Sequence, residues 1–325
     1  MNIKFKHLIL LFLATASVVN AKSALVAKRE SLDRIEERRL QPQDYYGIVS
    51  KSFEDRDFNV AIANSYKLLK EYPSSVLASE TIYMQALSFY ESKEYHLADV
   101  AFTRYLHEYS SLKHFEDAIS YKFKIAEKFG SGARKRLFGG RLSPKWLSAK
   151  EDALRIYDEV ITTLPRNELA AMSLYNKGLI LLEIQSFKEA VESFQTLVKR
   201  FPKHPLAPEC YIAISQTYLD QCNKEFPDPN LIELAEINLQ RFSSDFPGEE
   251  RLSISSDMLE KMRNTFAKEL FVNAKYYEKK KKAMSAFLYY SSILMKYPTS
   301  KYSEEAAKRI AVIKSNAKNP DEFVL

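Results

Sequence analysis

The feature that most constrains this chain is a phrase it repeats. The stretch from Ser186 to Pro202, SFKEAVESFQTLVKRFP, has relatives ending at Pro73, Ser110, Pro165, Pro247 and Pro298. Twelve residues before each terminator stands an alanine: Ala61, Ala98, Ala153, Ala190, Ala235 and Ala286. Eight residues before, the last five copies carry Phe102, Tyr157, Phe194, Leu239 and Tyr290, and the first carries Ser65. A small residue lets a neighbouring helix approach, and a bulky one four positions on lies on the same face and fills the groove. Proline then stops the helix, because it has no N–H and biases the residue before it away from α.

A partner helix precedes each phrase. The best copy, AMSLYNKGLILLEIQSF from Ala171 to Phe187, has Gly178 for close approach between the core residues Leu174 and Leu181. Together the two helices match the tetratricopeptide repeat. The terminators lie 37, 55, 37, 45 and 51 residues apart. Each spacing exceeds the repeat's usual ~34, so the surplus goes into loops or longer helices. The expected fold is all-α: a right-handed tetratricopeptide-repeat solenoid of about six helical hairpins. SEEAAKRIAVIKSNA is expected to cap its open end. Composition agrees, with 7 glycines against 40 Tyr and Phe, too few turn formers for a sandwich or barrel.

Residues 1–21 read as a cleaved secretory signal: Lys4 and Lys6, an apolar run from Leu8 to Val19, then Val19-Asn20-Ala21. The run has 12 residues, where a spanning helix needs about 20. Residues 22–41 form a charged segment of mixed sign, either a solvated helix or a tether. Residues 42–127 hold the N-terminal repeats, 128–150 a basic Gly-rich insert, 151–315 the later repeats and 316–325 a tail. Loss of Lys4 and Lys6 takes the net charge from +6 to +4, too mild a balance to call for nucleic acid. Cys210 and Cys222, 12 residues apart on one helix, would stand about 18 Å apart. A disulfide spans at most ~7 Å between Cα atoms, so no bridge is expected.

No catalytic or metal constellation is evident. His96, His107, His114 and His204 fall in no ligand spacing, and no phosphate loop or nucleophile elbow occurs. The reading is therefore a binding protein without enzyme activity, cofactor or metal. Three features bear on recognition. The first helices of the hairpins line the concave face of such a repeat. There Tyr46, Phe53, Tyr83, Leu87, Tyr90, Tyr175, Leu182 and Tyr276 either receive an extended or helical peptide or belong to the core. The insert KFGSGARKRLFGGRLSPKWLSAK has seven Lys or Arg and no acid. Its Arg134, Lys135, Arg136, Arg141 and Trp146 either meet an anionic lipid surface or acidic partner, or form a solvated loop. Lys279 to Lys282 are expected as an exposed turn.

From about Ala170 to Lys314 the chain resembles the BamD family, the tetratricopeptide lipoproteins of the outer-membrane β-barrel assembly machinery. The matching pieces run in order: SLYNKGLILLEIQSFKEAVESFQTLVKRFPKHPLAPEC, DPNLIELAEINLQRFSSDFP, and FAKELFVNAKYYEKKKKAMSAFLYYSSILMKYPTSKYSEEAAKRI. In the last, Glu269, Tyr276, Tyr277, Pro298 and Ser300 fall on the family's positions. The resemblance implies a periplasmic scaffold at the inner face of the outer membrane of a Gram-negative-type envelope. Such a scaffold docks the barrel-inserting subunit and receives unfolded outer-membrane proteins. The family carries a lipobox cysteine, whereas no cysteine here precedes Cys210. Peripheral membrane association through partners or a basic patch is then implied. A general periplasmic adaptor of an envelope or secretion complex is the alternative function.

Overall fold

The structure, a computed structural model, describes residues 40–109, 113–136, 145–224, 228–316 and 323. The proposed signal, nearly all of the charged segment, Ser110 and Arg141 lie outside the described residues, and so does the side chain of Trp146.

Within those residues the chain is all-α apart from one short ribbon. The first compact unit, ending at Phe115, holds α1 (Pro42–Glu54), α2 (Phe58–Glu71), α3 (Ala78–Glu91) and α4 (Tyr95–Glu108). The second runs from Glu116 and contains most of α5 (Phe115–Gly130). It continues with β1 (Arg134–Arg136), β2 (Lys145–Ser148), α6 (Lys150–Thr163), α7 (Glu168–Glu183), α8 (Phe187–Arg200), α9 (Leu206–Lys224) and α10 (Asn230–Asp245). It ends with α11 (Leu252–Lys279), α12 (Ala283–Lys296) and α13 (Ser303–Ser315). The helices pair into hairpins of the tetratricopeptide type, two in the first unit and α7–α8, α9–α10 and α11–α12 in the second. There α13 packs beside the last pair, and α6 meets α5 through Phe123–Tyr157 and Lys122–Glu159.

The repeated phrase does what its residue types dictate. Ala61, Ala98, Ala153, Ala190 and Ala286 are wholly buried, and Ala235 nearly so. Phe102, Tyr157, Phe194 and Tyr290 are buried beside them, while Leu239 packs against the core from a half-buried position. Each buried aromatic of this kind contributes about 1.5–3 kcal/mol. In the first hairpin Ser65 takes the bulky position; it is buried and donates its hydroxyl to the Ala61 carbonyl at 2.8 Å. The aromatic–proline ends stop α2, α8 and α12, whose C-caps Tyr72, Phe201 and Tyr297 leave the helical region at ψ 58, 58 and 55°.

The opposite turns share another form. Arg56, Lys93, Gln185 and Lys281 each adopt a left-handed conformation, with φ of 61, 59, 64 and 58°. The next residue donates its N–H five residues back: Asp57 to Ser52, Glu94 to Phe89, Ser186 to Leu181 and Lys282 to Tyr277. This is the Schellman ending, here with a non-glycine residue in the left-handed place. The end of α5 uses it too, with Gly132 at φ 101° and Ala133 donating to Lys128.

Two features depart from the ideal repeat. The insert is not a loop throughout: α5 runs to Gly130, and β1 pairs antiparallel with β2, Arg134 opposite Ser148. Secondly, α11 is one helix of 28 residues, because neither Pro nor Gly interrupts the chain from Leu252 to Lys279. Its start is tied to the start of α9 by the Arg251–Glu209 ion pair. Cys210 and Cys222 both lie on α9, buried and unbridged.

Candidate functional site

In the first unit, Tyr83 of α3 is buried, 7% exposed, among Phe102, Tyr105 and His114. Its ring stacks on His114 at 4.2 Å, and His114 is also 3.1 Å from Glu80. Tyr83 therefore lies in the hairpin core. Tyr46, Phe53, Leu87 and Tyr90 are half-buried. Phe53 packs on Phe58 across the first turn, and Tyr90 on Tyr95 across the second.

In the second unit, Tyr175 is half-buried against Phe194, with ring centroids 5.9 Å apart, and Leu182 is half-buried on the core. Tyr276 is 55% exposed near the end of α11. Neither Tyr175 nor Leu182 lines the open space beside α7. That space is a cleft of about 430 Å³ among α5, α6 and α7, and α7 presents Asn176, Leu179, Ile180 and Glu183 to it. These four follow the i, i+3, i+4, i+7 spacing of one helix face. No signal in the sequence marked this stripe; Tyr175 and Leu182 lie on the neighbouring face of α7.

The cleft's chemistry is mixed. Tyr157 forms its inner wall, and burial pushes the Tyr157 hydroxyl well above the usual range despite a hydrogen bond with Asn176. Glu127 at the rim is raised by burial, against the lowering pull of Lys128 and Lys124. Leu179 is 40% exposed there. Amide, carboxylate and leucine on one face can hold a chain's backbone and one apolar side chain.

A second cleft, about 450 Å³, opens among α8, α9 and α10. Val198, Ile214, Tyr218, Leu234 and Ile237 give it an apolar stripe, flanked by the polar Gln195, Lys199, Arg241 and Asp245. Tyr211 in its floor donates its hydroxyl to Asp245 at 2.5 Å and stacks on Phe242 at 5.1 Å. Burial first, then that bond and the Asp245 charge, hold the Tyr211 hydroxyl protonated far into alkali. Asn238 donates to the Tyr211 carbonyl and to Ser215, both at 2.9 Å, so the floor is fixed.

On the ribbon, Arg134 is exposed while Lys135 and Arg136 are half-buried, and Lys135 pairs with Asp152 at 2.5 Å. Lys150, just after the ribbon, pairs with Glu183 at the end of α7. Among the described residues no three His, Cys, Asp or Glu are grouped to hold a metal ion, and no helix is long and apolar enough to cross a membrane.

No curated protein matches the sequence. Among solved structures, a tetratricopeptide repeat protein from Parabacteroides merdae is similar at 14% identity and TM-score 0.36, over 84% of this chain and 100% of that one. YrrB, described as a TPR protein with an unusual peptide-binding site, is similar at 15% identity and TM-score 0.36, over 70% and 96%. The pilF protein of Pseudomonas aeruginosa is similar at 14% identity and TM-score 0.28, over 82% and 97%. At these scores none of the three carries a functional argument. Residues 167–318, a little under half of the chain, match the YfiO family, described as outer membrane lipoprotein. That span takes in α7 to α13, both helices of the last three hairpins and the cap. Over this span the chain is similar to the YfiO (BamD) family, and the helices it covers pair as tetratricopeptide hairpins.

Proposed function

We propose that this chain is a periplasmic scaffold of the outer-membrane protein assembly machinery, without enzyme activity of its own. On this reading it docks the barrel-inserting subunit and receives unfolded outer-membrane proteins. The observation that carries the reading is the YfiO family match over the last three hairpins. The two clefts support it, since both are open grooves between helices that pair apolar side chains with polar groups, as a groove for an extended chain does. Residues 1–21 are removed as a signal, and the protein associates with the membrane peripherally. The half-buried members of the first-helix set, Tyr46, Phe53, Leu87, Tyr90, Tyr175 and Leu182, belong to the receiving surface. Arg134, Lys135, Arg136, Arg141 and Trp146 of the insert meet an anionic surface or acidic partner.

Crosslinked affinity purification of the tagged full-length protein from intact envelopes tests this. The expected result is recovery of the barrel-inserting outer-membrane subunit. Abundant recovery of other envelope proteins without it would make the protein a general adaptor instead.

A further inference from the structure

The positive charge of this chain is concentrated near its C-terminal end. From Lys261 to Lys314 there are thirteen Lys or Arg against four Glu, a net +9 where the whole chain is +6. Ion pairs absorb part of this charge. Arg263 is held by Glu236 and Glu260, Lys308 by Glu304 and Arg309 by Glu278, and Lys275 stands 4.0 Å from Glu305. Lys279, Lys280, Lys281 and Lys282 differ from these. All four are exposed, at the end of α11 and in its turn to α12, and among the described residues no carboxylate pairs with any of them. Glu278, the one acid beside them, already accepts from Arg309 and from the Tyr290 hydroxyl. The negative end of the helix dipole softens the repulsion among four adjacent ammonium groups without removing it.

Large apolar side chains surround the same tip. Tyr276 is 55% exposed one turn before the lysines, and Met284 and Leu288, 40% and 57% exposed, follow in the first turns of α12. The Lys280 ammonium lies 5.8 Å over the Tyr276 ring.

We propose that this tip rests on the headgroup region of an anionic phospholipid bilayer. Four lysines in a turn are mobile point charges without the planar fork that fixes a single carboxylate, so they suit a diffuse negative surface. Tyrosine, methionine and leucine beside them enter the interface while the lysine stems extend back to the phosphates. Neither cleft described above includes these lysines. Each lysine at such a surface contributes about fivefold in affinity.

Sedimentation of the full chain with phosphatidylcholine vesicles, with and without phosphatidylglycerol, tests the contact. Binding is expected only with phosphatidylglycerol and is expected to weaken steeply as salt is added. Changing Lys279, Lys280, Lys281 and Lys282 to Gln together should weaken it more than about a hundredfold. Tyr276→Ser with Leu288→Ser should weaken it at least tenfold. Replacing the exposed Lys67, Lys70, Lys188 and Lys203 by Gln, an equal loss of charge elsewhere, should cost far less. Equal losses in the two lysine variants, or unchanged binding by the tip variant, would overturn the proposal. So would a wild-type chain that ignores the vesicles but binds a polyglutamate peptide through Lys279–Lys282, which would assign the tip to an acidic protein segment.

Discussion

Gly178 of α7 and Phe194 of α8 occupy one another's space: a Cβ built on Gly178 would lie 2.5 Å from the Phe194 ring. Phe194 is wholly buried, so the ring has nowhere to go. Alanine at 178 would gain about 1 kcal/mol of helix propensity, but overpacking a tight core costs about 1–3 kcal/mol. Gly178→Ala is therefore expected to lower stability by up to about 2 kcal/mol in chemical denaturation. Adding Phe194→Leu should recover part of that loss, a coupling that a double-mutant cycle reads directly. Additive losses would show that the contact is not what limits position 178.

The left-handed turn residues argue in the other direction. A residue with a Cβ costs about 1–2 kcal/mol in that conformation, and glycine gives part of the gain back as unfolded-chain entropy. Arg56→Gly and Gln185→Gly are each expected to stabilise by about 0.5–1 kcal/mol, seen as a raised denaturation midpoint. A decrease at either site would mean that its side chain makes contacts worth more than the strain.

Lys122 is a lysine with 1% exposure, and its ammonium meets Glu159 at 2.7 Å. Removing a carboxylate that faces a buried cation is costlier than removing the cation and leaving a partly exposed carboxylate. Glu159→Gln should thus destabilise by about 1–3 kcal/mol, discounted because Glu159 is 36% exposed. Lys122→Met should cost less, because methionine fills much of the same volume. The reverse order in thermal melts would count against this account of the pair.

Tyr157, Tyr175, Tyr211, Tyr218, Tyr290 and Tyr297 are all raised, chiefly by burial. Cys222 is pushed up to about 11, also chiefly by burial. A raised pKa in the folded state means tighter proton binding there. Its stabilising contribution is complete below the unfolded value, ~10 for tyrosine and ~8.5 for cysteine, and is lost as pH rises through the folded value. Stability should hold from neutrality to pH ~9 and fall steeply above ~10, with tyrosine ionisation at 295 nm coinciding with loss of helix. Both thiols should resist alkylation at neutral pH until the protein is unfolded. Ready modification of the native protein would contradict their burial.

Most of the hairpin architecture was legible because packing between helices demands few residue types. Alanine, an aromatic four positions on and a closing proline recur wherever two helices must approach and stop. Ser65 broke that pattern and still sits in the core, since its hydroxyl is satisfied by its own helix. The β-ribbon was not legible: three residues, Arg134 to Arg136, carry no period, and their pairing with Lys145 to Ser148 is a long-range choice. The cleft beside α7 was not legible in the sequence, since Asn176, Leu179, Ile180 and Glu183 form a mixed stripe with no repeat signature, while Tyr175 next to it packs on Phe194.

The shared ending of the first helices has a bearing on how such a chain grows. After Gly132 the capping bonds of α5 are complete, as they are after Gln185, yet the chain departs into a ribbon before α6 begins. Termination of one helix is thus finished locally, before the return helix is asked for. These turns act as ports at which a guest segment can be spliced without unravelling its host, and the basic ribbon occupies one of them.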